Sequence, residues 1–212
     1  MASTPESLLA AVRAAGVTHP RVLEAVAALP RAGFVPPERV ARAYDDVPIP
    51  IAHGQVTTQP SLVARMVAGA DPHPDDRVLE VGTGHGWQTA LLAHLAARVW
   101  SVERFADLAA AARANLAAHG VANAEVTVGD GSAGLPDQAP FDVILLAAAF
   151  TQVPEPLADQ LAPGGRLVAP LGPGGAESVV LFERGEGGLE RRGVLTGAYF
   201  VRLVGRYGFD SE

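Results

Sequence analysis

The chain contains 212 residues, of which 49% are hydrophobic and 18% are charged, so its composition excludes an intrinsically disordered protein. Its formal net charge of -7 provides no bulk positive field for nucleic acid, and the absence of cysteine excludes disulfides, thiolate metal sites and a cysteine nucleophile. No window approaches the roughly 20 apolar residues of a membrane span, and the first residues lack a basic segment followed by a long apolar run. We therefore expect a cytoplasmic protein that binds neither nucleic acid nor membranes.

Residues 1–43 are predicted to form a helical preface. Apolar residues recur at helical spacing around Leu8 and Val12, and again from residue 22 to residue 29 after a proline that suits a first helical turn. Residues 44–61, YDDVPIPIAHGQVTTQPS, contain three prolines and no sustained period, which predicts an ordered, extended loop. Loops of this kind often carry functional residues.

From residue 77 onward, apolar strand patterns alternate with helical ones. The runs RVLEV, RVWSVE, EVTVGD, FDVILLAAA and GRLVAPLG are interspersed with helical patterns such as WQTALLAHLA and FADLAAAARANLAAHG. This alternation predicts a doubly wound α/β core with a mostly parallel sheet over residues 77–172. Residues 173–212 hold two successive strand-like runs, ESVVLFERG and GVLTGAYFVRLV, which predict antiparallel edge strands. The length suits one domain, so we expect residues 1–212 to form a single unit.

A glycine cluster follows the first strand of this core. The strand ends at Val81, and the chain turns through GTGHG before the next helix begins. Glycines allow positive φ and let the backbone approach a ligand at the carboxyl end of a strand, where ligands bind in doubly wound sheets. The spacing is G-x-G-x-G, which differs from the G-x-G-x-x-G of dinucleotide sites, and no P-loop lysine follows. We predict that Gly82, Thr83, Gly84 and Gly86 contact a cofactor.

Carboxylates occur at the ends of the neighbouring strands. Glu103 ends the second strand, where a carboxylate can accept two hydrogen bonds from a ribose diol. Asp130 and Gly131 end the third strand and place an acceptor where an adenine amine would lie. Glu80, just before the turn, supplies negative charge that suits a sulfonium and an amino group better than a pyrophosphate. The set predicts S-adenosylmethionine as the cofactor.

Each of these features also has a plain structural explanation when it is taken alone. The glycine cluster could be only a tight turn, and Glu103 could be a solvated strand end. For His85 and Trp87, a helix cap and a packing aromatic are as good an explanation as contact with a ligand. The six histidines form no Ser/His/Asp or metal-ligand pattern, so we expect no metal.

The chain resembles the protein-L-isoaspartate O-methyltransferases from about residue 20 onward. The loop VPIPIAHGQVTTQP is the most specific match, and EVGTGHGWQTALLA resembles the cofactor turn of that family. The likeness continues through the segments PRAGFVP, VWSVER, GDGSAGLPDQAPFDVILLAAA, VPEPLADQLAPGGRLVAPLG and YFVRLV. The resemblance implies a Rossmann-like class I methyltransferase fold, S-adenosylmethionine as donor and S-adenosylhomocysteine as product. It also implies that the acceptor is the free α-carboxylate of an L-isoaspartyl residue in a damaged protein or peptide, and that the enzyme is a monomer.

The resemblance further implies which loop residues act. Thr58 stands where the family usually has its active-site serine, so a hydroxyl is retained with an added methyl group. Gln55, Val56 and Thr57 before it, together with Arg104 after the second strand, would contribute to the cofactor site. An acceptor carboxylate with an ordinary pKa of about 3.5 to 4 is already ionised at neutral pH, so the reaction needs no general base.

Other functions stay open on the residues alone. A related methyltransferase acting on a biosynthetic peptide aspartate or on a small molecule is one, because the loop differs from the family pattern. The tail VRLVGRYG also departs from the family's V-R-F-V-P-L at Gly205 and Arg206. Arg202 and Arg206 could bind a substrate carboxylate or could be solvated arginines of an edge strand. A cofactor-binding module without activity and an RNA methyltransferase are weaker alternatives.

Overall fold

A seven-stranded, mostly parallel sheet organises the protein. The computed structural model describes residues 3–173 and 175–210. A two-residue hairpin comes first, β1 Ile49–Pro50 with β2 Val56–Thr57. The strands of the main sheet are β3 Arg77–Val81, β4 Arg98–Glu103, β5 Ala124–Val128, β6 Phe141–Leu146, β7 Leu161–Leu171, β8 Glu177–Gly185 and β9 Gly188–Ala198. Their order is β5-β4-β3-β6-β7-β8-β9, with parallel pairing from β5 to β7 and antiparallel pairing for β8 and β9.

Six α-helices accompany the sheet in the described ranges. They are α1 Pro5–Ala14, α2 Pro20–Ala28, α3 Pro60–Ala70, α4 Trp87–Leu95, α5 Ala106–Ala118 and α6 Glu155–Asp159. Short 3-10 turns cover 31–34, 37–42, 52–54, 131–133 and 136–138. None of these helices is long and apolar enough to cross a membrane.

The central strands bury both of their faces. On β3, Val78 belongs to the cluster beneath helices α1 to α5, whereas Leu79 and Val81 belong to the cluster on the opposite face. On β6, Leu145 and Ile144 divide in the same way. Strands covered on both faces read as continuous apolar runs, which is the pattern that the sequence shows. The predicted α/β class with antiparallel C-terminal strands is confirmed.

Two local predictions differ from the structure. Helix α3 was not predicted, because Pro60 was assigned to the preceding loop, whereas it occupies the first turn of the helix. The run GVLTGAYFVRLV was expected to be one strand, but β9 ends at Ala198. The chain then lies beside Ala149, whose N–H donates to Val201 O and whose carbonyl accepts from Leu203 N, each at 2.7 Å. This second pairing draws the tail away from the sheet edge.

Candidate active site

A cavity opens at the carboxyl ends of β3 and β4. Its walls come from the glycine turn, the loop before α3, the residues after β4 and β6, and the C-terminal segment 201–204. Eleven of the thirteen predicted site residues line it: Gln55, Val56, Thr57, Thr58, Gly82, Thr83, Gly84, Gly86, Glu103, Arg104 and Gly131. Residues separated by 76 positions in the chain are thus brought to one cavity.

The turn after β3 needs its glycines for conformation and for space. Gly82, Gly84 and Gly86 have φ values of 94°, 55° and 91°, which L side chains rarely adopt. A Cβ on Gly82 would also lie 3.3 Å from Ala147 Cβ. At these three positions the backbone is not covered by a side chain, as a closely approaching ligand requires.

Glu103 is held on the cavity wall by backbone donors. Its side chain is buried, Gly84 N donates to Oε2 at 2.9 Å, and Phe105 N donates to Oε1 at 3.0 Å. A carboxylate oxygen can accept two hydrogen bonds, so each oxygen keeps one acceptor position for a ligand. A fixed pair of acceptors beside a glycine turn fits the diol of a ribose, and this part of the site therefore fits S-adenosylmethionine.

Thr58 lies where the cofactor cavity meets a second cavity. Val56, Thr58, Ala147 and Val201 line both. The second cavity extends between the start of α3 and the end of β9, and its other lining residues include Arg65 and Phe200. A hydroxyl at the junction of two cavities can orient a group that reacts across it.

The sequence interpretation overlooked Arg31, which organises the loop. Its side chain is 1% exposed, and its guanidinium donates to the carbonyls of Ala43, Asp45, Val47 and Thr58 and to the Thr57 hydroxyl at 2.9 to 3.4 Å. Burial lowers the pKa of Arg31 to about 10, and the charges of Asp46 and Asp45 oppose that effect. The residue belongs to the segment PRAGFVP, but its partners lie 12 to 27 positions away, so no local signal marked it.

His53 joins the outer side of the same loop to α5. Its ring stacks on Phe105 with a centroid separation of 4.1 Å, and Nε2 lies 2.9 Å from both carboxylate oxygens of Asp107. This contact lowers the pKa of Asp107. His53 adopts a φ of 59°, a region that histidine tolerates better than most residues. The loop is thus fixed on two sides, by Arg31 inside and by His53 outside.

Comparison with known proteins identifies the family. The sequence profile of the protein-L-isoaspartate(D-aspartate) O-methyltransferases matches residues 3–208. The chain belongs to this family. The protein-L-isoaspartate O-methyltransferase of Methanoculleus marisnigri is 48% identical over 201 residues, covering 95% of this chain and 91% of that one. The enzyme of the same name from Anaeromyxobacter dehalogenans is 52% identical over 191 residues, covering 89% and 91%.

Solved structures of the family share the architecture. A protein-L-isoaspartate O-methyltransferase matches with a TM-score of 0.83 and 26% identity, covering 97% of this chain and 67% of that one. A Plasmodium falciparum protein of this name, solved with S-adenosyl-L-homocysteine, matches with a TM-score of 0.79, covering 94% and 97%. Its identity of 22% indicates a common fold.

Glu80 does not line the cavity of this family member, so its predicted place beside the donor is corrected. The side chain is fully buried, Gln88 Nε2 donates to Oε1 at 2.9 Å, and the hydroxyls of Thr89 and Ser101 each donate to Oε2 at 2.5 Å. Burial raises the pKa of Glu80 to about 7. The three hydrogen bonds partly offset this rise, whereas the negative charge of Glu103 adds to it. The carboxylate is thus held between α4 and Ser101 of β4.

Asp130 is also corrected, because its carboxylate holds the C-terminal turn instead of lining the cavity. Oδ1 accepts from Ser132 N and Oγ at 2.9 and 2.6 Å, and Oδ2 accepts from Arg206 N at 2.7 Å. Partial burial opposes ionisation, but the hydrogen bonds from Ser132 and Arg206 outweigh it and lower the pKa of Asp130. Gly205 permits this approach, since a Cβ there would collide with Asp130 Oδ1.

Three further residues settle open points of the sequence interpretation. His85 and Trp87 both line the cavity, and Trp87 Nε1 donates to Leu29 O at 3.2 Å, so it also packs α4 against α2. Burial lowers the pKa of His85, which favours the neutral ring, and the charge of Glu38 opposes this shift. Gly86, not His85, occupies the N-cap position of α4. Within residues 3–173 and 175–210 no cluster of potential ligands for a metal occurs.

Proposed function

We propose that the protein methylates the free α-carboxylate of L-isoaspartyl residues in damaged proteins or peptides, with S-adenosylmethionine as donor. Membership of the protein-L-isoaspartate O-methyltransferase family supports this activity. The observation that carries the proposal is the position of Thr58 on the wall shared by the two cavities, with the Gly84 and Glu103 site on one side. A donor and an acceptor in these cavities would meet at Thr58.

The chemistry requires positioning more than acid–base catalysis. The donor supplies a methyl group whose carbon–sulfur bond breaks as the bond to the acceptor oxygen forms, and the bonding electrons remain on sulfur. The acceptor carboxylate is ionised at neutral pH and needs no base. Glu103 would hold the ribose, and the Thr58 hydroxyl would donate a hydrogen bond to the acceptor carboxylate. Orienting reactants in this way can contribute about 7 to 11 kcal/mol to the barrier reduction.

Repair follows from the ester rather than from a second active site. The carbonyl carbon of a methyl ester is more electrophilic than that of an ionised carboxylate, so the neighbouring backbone nitrogen can attack it. The bond to the methoxy oxygen breaks, methanol leaves with the proton of the amide, and a succinimide closes. Hydrolysis of the succinimide then yields some normal aspartate. The enzyme therefore needs to recognise only the isoaspartyl form, and repeated cycles would convert it.

The test uses paired synthetic peptides that differ only in L-isoaspartyl or L-aspartyl at one position. Labelled methyl transfer to the isoaspartyl peptide alone supports the proposal. Transfer to neither peptide, with S-adenosylmethionine still bound, would favour a related carboxyl methyltransferase acting on a biosynthetic peptide or a small molecule. The replacement of the usual serine by Thr58 motivates that second candidate.

Variants separate donor binding from acceptor positioning. Glu103→Ala should weaken donor binding, whereas Thr58→Ala should lower turnover and leave donor affinity largely intact. Thr58→Ser serves as the matched control, because it keeps the hydroxyl. Gly84→Val should abolish donor binding, because a β-branched residue cannot adopt the φ of 55°. Equal loss of donor affinity in the Glu103 and Thr58 variants would contradict this division of roles.

We further propose that the protein is a single domain and a monomer. It would act in the cytoplasm, on isoaspartyl proteins and not on nucleic acid. The net charge of -7 supports the last point, because no bulk positive field would hold phosphates. Light scattering coupled to size exclusion tests the oligomeric state, and cell fractionation tests the location.

A further inference from the structure

Arg65 is the one charged side chain among the described residues that line the second cavity. It lies in the second turn of α3 and is partly exposed, and the same cavity is lined by Thr58. The other described lining residues are either apolar, such as Leu62 and Phe200, or polar and uncharged, such as Ser61. The cavity that meets the donor site at Thr58 therefore carries a local positive charge, on a chain whose net charge is -7.

The protein uses little of the hydrogen-bonding capacity of the Arg65 guanidinium. In the part of the chain that the structure describes, its one hydrogen bond runs from Nη2 to the carbonyl of Ala15, the C-cap residue of α1. None of the described carboxylates forms an ion pair with it. Asp46, in the loop before α3, is engaged instead by Gln59 Nε2 and Ser61 N at 2.9 and 2.8 Å. A guanidinium has five N–H donors in a fork that fits a carboxylate, so Nε and Nη1 remain for an anionic partner.

We propose that Arg65 binds the carboxylate of an aspartate or glutamate in the substrate peptide, two or three residues from the isoaspartyl residue, and so makes the enzyme prefer acidic sequences around its target. This inference rests on the proposed function. The isoaspartyl carboxylate itself reacts at Thr58, where the two cavities meet, so the anion at Arg65 is a second group of the peptide. Opposite charge at this one point of an otherwise uncharged cavity is what selects that partner.

The spacing of two or three residues follows from helix and peptide geometry. Arg65 lies five positions after Pro60, the first residue of α3, which is a rise of about 7.5 Å at about 1.5 Å per residue. An extended peptide advances about 3.3 Å per residue. A peptide that lies along α3, with its reacting residue at the start of the helix, therefore reaches the level of Arg65 after two or three residues.

Binding of peptides without turnover tests the contact. The probes are fluorescent isoaspartyl peptides with one glutamate, placed in turn at each of the three positions on either side of the isoaspartyl residue, and matched peptides with glutamine there. They are titrated with the full-length protein saturated with S-adenosylhomocysteine. The wild type should bind the best-placed glutamate peptide about 3- to 10-fold more tightly than its glutamine partner, less than a fully buried charged hydrogen bond would give, because Arg65 is partly exposed. The preference should shrink between about 0.05 M and about 0.5 M salt, because salt screens exposed charges.

Three variants distinguish this contact from a role of Arg65 at the end of α1 alone. Arg65→Gln removes the charge but keeps an amide that can donate to Ala15 O, so the ratio of the two affinities should fall to within about twofold of one. Arg65→Lys keeps the charge without the fork and should retain part of the preference. Arg13→Gln is the matched control, because Arg13 is exposed in the last turn of α1 and is not among the described residues that line either cavity. It changes the net charge equally and should keep the wild-type ratio.

The outcomes separate this inference from the proposed function. If the wild type binds no glutamate peptide more tightly than its glutamine partner, or if Arg65→Gln keeps the wild-type ratio, the inference is overturned. A preference that Arg65→Gln loses and Arg13→Gln keeps supports it, and kcat/KM for methyl transfer should then show the same ratio. If that preference occurs in binding but no isoaspartyl peptide is methylated, the contact stands and only the proposed reaction fails. Failure of the wild type to bind any isoaspartyl peptide overturns both.

Discussion

Ionisation of Glu80 should make the protein less stable as the pH rises from 4.5 toward 7. Burial raises its pKa from the ordinary 4.5 to about 7, and the hydrogen bonds from Ser101, Thr89 and Gln88 only partly offset burial. The folded state therefore binds this proton more tightly than the unfolded state. The free energy of unfolding falls as the pH increases from 4.5 to 7, by about 3 kcal/mol in total.

The assay compares urea unfolding of the wild type and Glu80→Gln between pH 5 and pH 8. The variant cannot titrate at this position, so the difference between the two unfolding free energies should fall by about 2 kcal/mol over the range. His85 acts in the opposite sense, because its lowered pKa makes the protein more stable as the pH rises through the lower part of the range. His85 is present in both proteins, so its contribution cancels. A difference that stays constant within about 0.5 kcal/mol would refute the reasoning.

Three further substitutions probe the loop and the tail. Arg31→Lys keeps a charge but loses the forked donors, so melting temperature and kcat should fall while donor affinity changes less; an unchanged kcat would contradict this role. His53→Asn tolerates positive φ but loses the contacts with Phe105 and Asp107, so hydrogen exchange in residues 51–57 should accelerate, with Asp107→Asn as the matched variant. Gly205→Ala should lower the unfolding free energy by about 1 to 3 kcal/mol, since the added Cβ collides with Asp130; an unchanged melting temperature would disprove that contact.

The sequence was sufficient for the features that depend on local periodicity. The apolar runs predicted the parallel core, and the spacing of the glycines predicted the turn after β3. Glu103 was placed on the cavity wall because parallel strands end at one edge of a sheet. These predictions use only the chain direction and the hydrophobic pattern, which together determine the order of strand, turn and helix in each βα unit.

The predictions for Glu80 and Asp130 failed for two different physical reasons. Glu80 was assigned by its nearness to the strand end, but side chains alternate along a strand. It shares the face of Val78, beneath α4, so the period of two could have placed it correctly. Asp130 accepts from Ser132, two residues on, but also from Arg206 N, 76 residues away, and no local pattern indicates that second contact. Gln88, which lines the cavity, could have been predicted to do so, because it lies in the first helical turn beside the glycine cluster.

Both buried ionisable residues hold other residues of the cavity wall in place, and Arg31 also lines the cavity itself. Glu80 accepts a hydrogen bond from Gln88 Nε2, and Arg31 donates to the Thr58 carbonyl and the Thr57 hydroxyl. Buried charges cost stability, but their hydrogen bonds are strong in a low dielectric and hold their partners rigidly. Because Arg31 holds the backbone of Thr58, the added methyl group need not displace the hydroxyl. The exchange of serine for threonine is therefore compatible with the acceptor positioning that we propose for Thr58.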